Sequence, residues 1–93
     1  MAYGADKKGD REMKQGHKFL KAVGQRLRQA RRDAGLTQAQ VAEILGRPQS
    51  YVSKCERAEL RVDLGEFVRF IAIYDKPTVW YVDYLLEIWD EIE

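Results

Sequence analysis

The sequence holds one cysteine, Cys55, so no disulfide can close within the chain and a reducing compartment is expected. It holds one histidine, His17, and no group of His, Cys, Asp and Glu has the spacing of a metal site. No nucleophile stands beside a base, so neither an enzyme nor a bound cofactor or metal is expected. Long apolar runs are missing as well. No run approaches the roughly 20 residues that a membrane span needs. Residues 1–17 lack the apolar stretch of a secretory signal, and a cytoplasmic chain with no membrane partner is expected. Strand-like alternation, internal repeats and low-complexity segments are absent too, which leaves an all-α chain.

What is present is a 93-residue chain, 45% hydrophobic, enough for one small domain with its own core. The net charge of +1 conceals an asymmetry: residues 1–61 carry a balance of +7 and residues 62–93 a balance of −6. One part is suited to a polyanion and the other is not.

Residues 1–17 are polar, mix both signs of charge and show no helical period, and they read as a flexible N-terminal arm. Lys7, Lys8, Arg11 and Lys14 could let the arm follow a DNA groove, but Asp6, Asp10 and Glu12 dilute its charge, and a disordered tail is the simpler reading. From Lys18 onward, Phe19, Leu20, Val23, Leu27, Ala30 and Ala34 recur at helical spacing, and Gly35 stands where a left-handed residue ends a helix. Thr37 and Gln40 form a capping box, flanked by Leu36 and Val41 at the positions of a hydrophobic staple. A second helix over Gln38 to Leu45 follows, closed by Gly46. Pro48 opens a third within about three residues, a helix-turn-helix joint. Asp63 and Glu66, with Val62 and Phe67, repeat the start pattern for a fourth helix over Leu64 to Tyr74. Pro77 stops the chain, Thr78 can cap, and a fifth helix runs from Val79 to near the end.

On a wheel of the third helix, Gln49, Ser50, Ser53, Lys54 and Arg57 share one side, within about 140°. Val52 and Cys55 share the other, so Cys55 is expected as a buried structural thiol. Amide, hydroxyl and cationic groups can read base edges or hold phosphates, and no carboxylate falls among them. Tyr51 lies on the border, where it can reach a phosphate, meet a thymine methyl or pack at the rim.

The segment LRQARRDAGLTQAQVAEILGRPQSYVSKCERAE resembles the helix-turn-helix of the phage repressor and Cro class, the XRE family. The likeness covers roughly Val23 to Leu86. It rests on Arg31, the Gly35-Leu36-Thr37-Gln38 junction, Ala42, Gly46, Ser53 and Glu56. It implies a five-helix, repressor-like domain over residues 18–93 that binds double-stranded DNA. It implies further that Gln38 bonds a phosphate, that Gln49, Ser50, Ser53 and Lys54 face the major groove, and that Arg47, Tyr51, Arg57 and Arg61 meet the backbone. Arg31 and Glu56 are implied as a structural ion pair; breaking a buried pair of this kind costs about 3–5 kcal/mol. Two positions depart from the family. Ala58 stands where glycine is common, and a left-handed turn there costs about 1–2 kcal/mol for a residue with a Cβ, so the third helix is expected to run on. Leu60 stands where a basic residue is common.

The fifth helix, residues 78–93, is apolar nearly all round and cannot bury every side against its own domain. Trp80, Tyr81, Tyr84, Leu85, Ile88 and Trp89 are the expected interface of a homodimer, since aromatic residues favour interface centres. Asp83, Glu87, Asp90, Glu91 and Glu93 would keep this end from phosphates. The sequence thus reads as a dimeric regulator, a repressor or autoregulator, that reads a two-fold operator. The runner-up is an antitoxin or adaptor-type module whose last helix binds another protein.

Overall fold

Among the described residues, three left-handed ones divide the chain: Gly35 (φ 72°), Gly46 (φ 68°) and, without a glycine's freedom, Ala58 (φ 61°). Around them the computed structural model, which describes the backbone of residues 6–92 and the side chains of residues 16–91, folds as five helices. They are α1 (Asp6–Asp33), α2 (Gln38–Leu45), α3 (Gln49–Glu56), α4 (Leu64–Ile73) and α5 (Thr78–Ile92), with no strand among the described residues. α1 packs on α3 and α5, and α2 packs on α3 and α4.

Each boundary has a local cause. At the end of α1, the Gly35 N–H donates to the Arg32 carbonyl and the Leu36 N–H to the Arg31 carbonyl, closing the last turn. At α2, the Gln40 N–H donates to Thr37 Oγ1 at 3.1 Å, and the Thr37 N–H donates to Gln40 Oε1 at 2.8 Å, the reciprocal box that the sequence predicts. Asp63 caps α4 by accepting the Glu66 N–H at 2.8 Å. The staple partners Leu36 and Val62 pack against the core, and Val41 is fully buried within it.

Three expectations are corrected. α1 begins at Asp6, well before the Lys18 start that periodicity gave. Residues 7, 8 and 11–15 are unbranched polar residues or methionine, all good helix formers, with no apolar stripe to mark the helix in the sequence. The side chains of the proposed groove contacts Lys7, Lys8, Arg11 and Lys14 lie outside the described residues. The third helix does not run on: α3 stops at Glu56, and Ala58 makes the left-handed turn, its N–H donating to the Cys55 carbonyl and the Glu59 N–H to the Lys54 carbonyl. Ala34, assigned to the inner face of the first helix, is exposed.

The core is where all five helices meet. Leu27, Val41, Val52, Cys55, Phe70 and Tyr81 are its largest fully buried side chains. α1 and α3 approach so closely that a Cβ at Gly24 would lie 2.5 Å from the Glu56 carbonyl oxygen and 2.8 Å from that of Cys55. α5 is strapped to α1 by Arg26. Its guanidinium lies 3.4 Å from the Trp80 ring centroid and 4.4 Å from that of Tyr84. It also donates to the Trp80 carbonyl from Nε (3.2 Å) and Nη2 (2.9 Å). Cation–aromatic stacking and hydrogen bonding thus act on the same group.

These contacts generate an opposed pair of predictions for thermal unfolding. Gly24→Ala forces backbone apart and should cost about 2–3 kcal/mol, lowering Tm by about 10–20 °C. Ala58→Gly relieves the left-handed strain and should add about 0.5–1 kcal/mol. A Gly24→Ala variant as stable as the parent would contradict the close α1–α3 approach.

Candidate nucleic-acid interface

α3 carries its side chains as its wheel predicts. Val52 and Cys55 are fully buried, while Gln49, Ser50, Lys54 and Arg57 are exposed and Ser53 is half-exposed. Burial pushes the Cys55 thiol up from its ordinary range, which keeps it protonated and unreactive. The joint that presents α3 is short. Pro48 supplies the extended residue before the helix, and Gly46 turns the chain out of α2 with its N–H on the Glu43 carbonyl. The exposed side of α3 therefore offers amide, hydroxyl and cationic groups from a rigid support.

That support is the pair between Arg31 and Glu56. Arg31 Nε donates to Glu56 Oε2 at 2.7 Å and Nη2 to Oε1 at 3.0 Å, a two-pronged contact, while Nη1 donates to the Leu36 carbonyl at 2.9 Å. Both side chains are almost wholly removed from solvent, 11% and 2% exposed. Donating to Glu56 holds the Arg31 guanidinium more strongly charged than usual, against the opposing effect of burial. Gln38 joins the cluster, its Nε2 donating to Glu56 Oε1 at 3.0 Å. The amide that the family likeness assigns to a phosphate is thus engaged within the chain, half-buried at the start of α2.

Around α3, several cations already have carboxylate partners. Arg57 pairs with Glu59 at 2.9 Å, with both side chains well exposed. Arg61 is exposed on the segment before α4, and Leu60 is exposed where a basic residue is common. Arg47 and Tyr51 both meet Glu66 of α4. The Tyr51 hydroxyl donates to Oε2 at 2.7 Å, and Arg47 Nη2 lies 3.1 Å from Oε1. The Tyr51 ring stacks on Phe70 at 6.1 Å between centroids, and Arg47 sits 4.8 Å above the Tyr51 ring. Within the chain, the Tyr51 ring packs at the rim of α3. Burial first, and the Glu66 hydrogen bond second, hold its phenol above the ordinary range. Sequence reasoning placed Glu66 only at the start of the fourth helix and missed its contact with Tyr51 and Arg47, because the wheel of α3 cannot show an acid supplied by α4.

The six α5 residues expected at a dimer interface differ in exposure. Tyr81 is fully buried in the chain's own core, edge-on to Phe67 and Trp80. Trp80 is taken up by Arg26, and Tyr84, Leu85 and Ile88 are half-buried. Of the six expected residues, only Trp89 is exposed, and its ring also meets Phe19 edge-on at 5.7 Å. The exposed apolar side is instead Val79 (61%), Val82 (41%), Leu86 (57%) and Trp89 (39%).

Among the described residues, no group of three His, Cys, Asp or Glu side chains could hold a metal ion, and no helix is long and apolar enough to cross a membrane.

Comparison with known proteins agrees with this geometry. The helix-turn-helix domain family matches residues 22–78, from the middle of α1 to the first residue of α5. A protein of Pyrococcus furiosus, named provisionally as an HTH-type transcriptional regulatory protein, is 32% identical over 65 residues, which is 70% of this chain. The chain spans only 21% of that protein's length. No solved structure matches.

The ion pair yields its own prediction. Glu56→Ala leaves the Arg31 guanidinium and the Gln38 amide without their acceptor and should cost about 3–5 kcal/mol, measurable by denaturant unfolding. A loss below about 1 kcal/mol, the range of surface pairs, would show that the pair does not hold α3 in place.

Proposed function

Because the chain belongs to the helix-turn-helix domain family, we propose that it is a sequence-specific DNA-binding transcriptional regulator, a dimeric repressor or autoregulator that reads a two-fold operator with α3. The observation that carries this reading is the exposed side of α3. Gln49, Ser50, Ser53 and Lys54 offer amide, hydroxyl and ammonium groups suited to base edges, and no residue of that side is acidic. Arg57 and Arg61 are the exposed cations for phosphates, with Arg47 and Gln38 at the edge of the same surface. Residues 18–93 form the binding unit and residues 78–93 its dimerisation helix.

The dimer face in this proposal is the exposed side of α5. Val79, Val82, Leu86 and Trp89 follow one another at intervals of three, four and three residues, the spacing of a coiled-coil seam. A second copy of the same helix presents a matching seam, as a two-fold interface requires. Two α3 helices about 34 Å apart would then enter successive major grooves on one side of the duplex.

Selection from random duplex DNA at two salt concentrations tests the reading. The expected result is one two-fold symmetric motif bound with an affinity that falls steeply with salt. A folded protein that selects no motif would overturn it. For the dimer face, Leu86→Asp should convert a dimer to a monomer in sedimentation and weaken binding to the two-fold site by about 100-fold, since joint binding of linked half-sites is lost. An unchanged dimer would place the interface elsewhere.

A further inference from the structure

The side of α3 that is free of acids receives one carboxylate from another helix. Glu66, in the first turn of α4, takes the Tyr51 hydroxyl on one oxygen and Arg47 on the other, with Arg69 Nη1 3.5 Å from the second oxygen. Arg47 lies on the joint between α2 and α3, and Tyr51 in the first turn of α3. A single side chain of α4 thus ties down both residues at the entry of the recognition helix. Arg69 is held in turn, its Nη2 donating to the Leu45 carbonyl at the end of α2. Glu66 is itself well placed. Its N–H is capped by Asp63, and a carboxylate in the first turn of a helix is stabilised by the helix dipole.

The core does not require a charge at this position, because a neutral amide oxygen could also accept the Tyr51 hydroxyl, in a weaker hydrogen bond. What the negative charge adds is a partner for Arg47. Glu66 is 20% exposed and Arg47 43% exposed, so the pair sits at the rim, where an arriving phosphate can compete for the guanidinium. Building on the DNA-binding reading, we propose that Glu66 is an affinity-trimming residue. It occupies Arg47 in the free protein and releases it to a phosphate only when α3 is fully seated on a matching site. Non-specific duplex then meets one cation fewer, and the ratio of specific to non-specific binding rises. Tyr51, held by Glu66 and stacked on Phe70, fixes the angle at which α3 leaves the joint.

The test compares the parent, Glu66→Gln, Glu66→Gln with Arg47→Ala, and Tyr51→Phe. Binding is measured on a random-sequence duplex and on the selected operator across a salt series, with thermal unfolding alongside. Glutamine keeps an acceptor for the Tyr51 hydroxyl and removes the charge. The expected result is that Glu66→Gln binds the random duplex about tenfold tighter at low salt, with a salt slope steeper by about one unit. The operator tightens by less, so the specificity ratio falls. Adding Arg47→Ala abolishes the gain, and Tyr51→Phe leaves the salt slope unchanged. If Glu66→Gln leaves random-duplex affinity and salt slope as they were, or weakens both DNAs alongside lower thermal stability, Glu66 is a structural tie and the proposal fails while DNA binding stands. Equal tightening on both DNAs overturns the claim on specificity. A parent protein that binds no duplex at all overturns the DNA-binding reading and this proposal with it.

Discussion

The buried contact between Arg31 and Glu56 decides where α3 lies, and much of the structure is arranged to make it possible. A guanidinium and a carboxylate taken out of water are stabilising only if nearly every donor and acceptor finds a partner. Here Glu56 accepts from Arg31 twice and from Gln38 once, and Arg31 has a further acceptor in the Leu36 carbonyl. These partners come from α1, from the turn after it, from the start of α2 and from the end of α3. The pair can therefore be satisfied only when the three elements hold one relative position. Close approach of α1 to the end of α3 is the steric counterpart, and Gly24 provides the space for it.

Ala58 stands just beyond that pair. α3 ends at Glu56, and the chain turns through the left-handed Ala58 toward the Asp63 cap of α4. The turn costs about 1–2 kcal/mol in a residue with a Cβ. That is smaller than the roughly 3–5 kcal/mol lost when a buried pair is broken, so the fold can carry one strained alanine beside it.

What was legible in the sequence is what local chemistry decides. The ends of α2 and α4 follow from Thr37, Gln40, Asp63 and Gly46, whose partners lie within a few residues. The polar and apolar sides of α3 follow from its period alone. Arg31 and Glu56 came from the family likeness, not from spacing. The features that escaped are of two kinds. Some join residues far apart in the chain, as Glu66 does with Arg47 and Tyr51, and as Arg26 does with Trp80. Others lack a pattern to read: the first turns of α1 have no apolar stripe, and α5 has too little polar surface for its sequence to say which side is inward.

The aromatic residues of α5 are mostly engaged within the chain. Aromatics favour the centres of interfaces, but they serve equally well where one helix must be anchored to its own domain. Tyr81 fills the core, and Trp80 with Tyr84 encloses the Arg26 guanidinium, so most of the aromatic surface is consumed inside one chain. Once Arg26 fixes the rotation of α5, the side turned outward is set by helical geometry. Val79, Val82 and Leu86 are left there with the edge of Trp89, and they form a narrower, more aliphatic strip than the composition of the helix implies. An aliphatic seam at three- and four-residue spacing is suited to pairing with a copy of itself. The aromatics beneath it hold that seam at a fixed angle to α1 and, through Arg31 and Glu56, to α3.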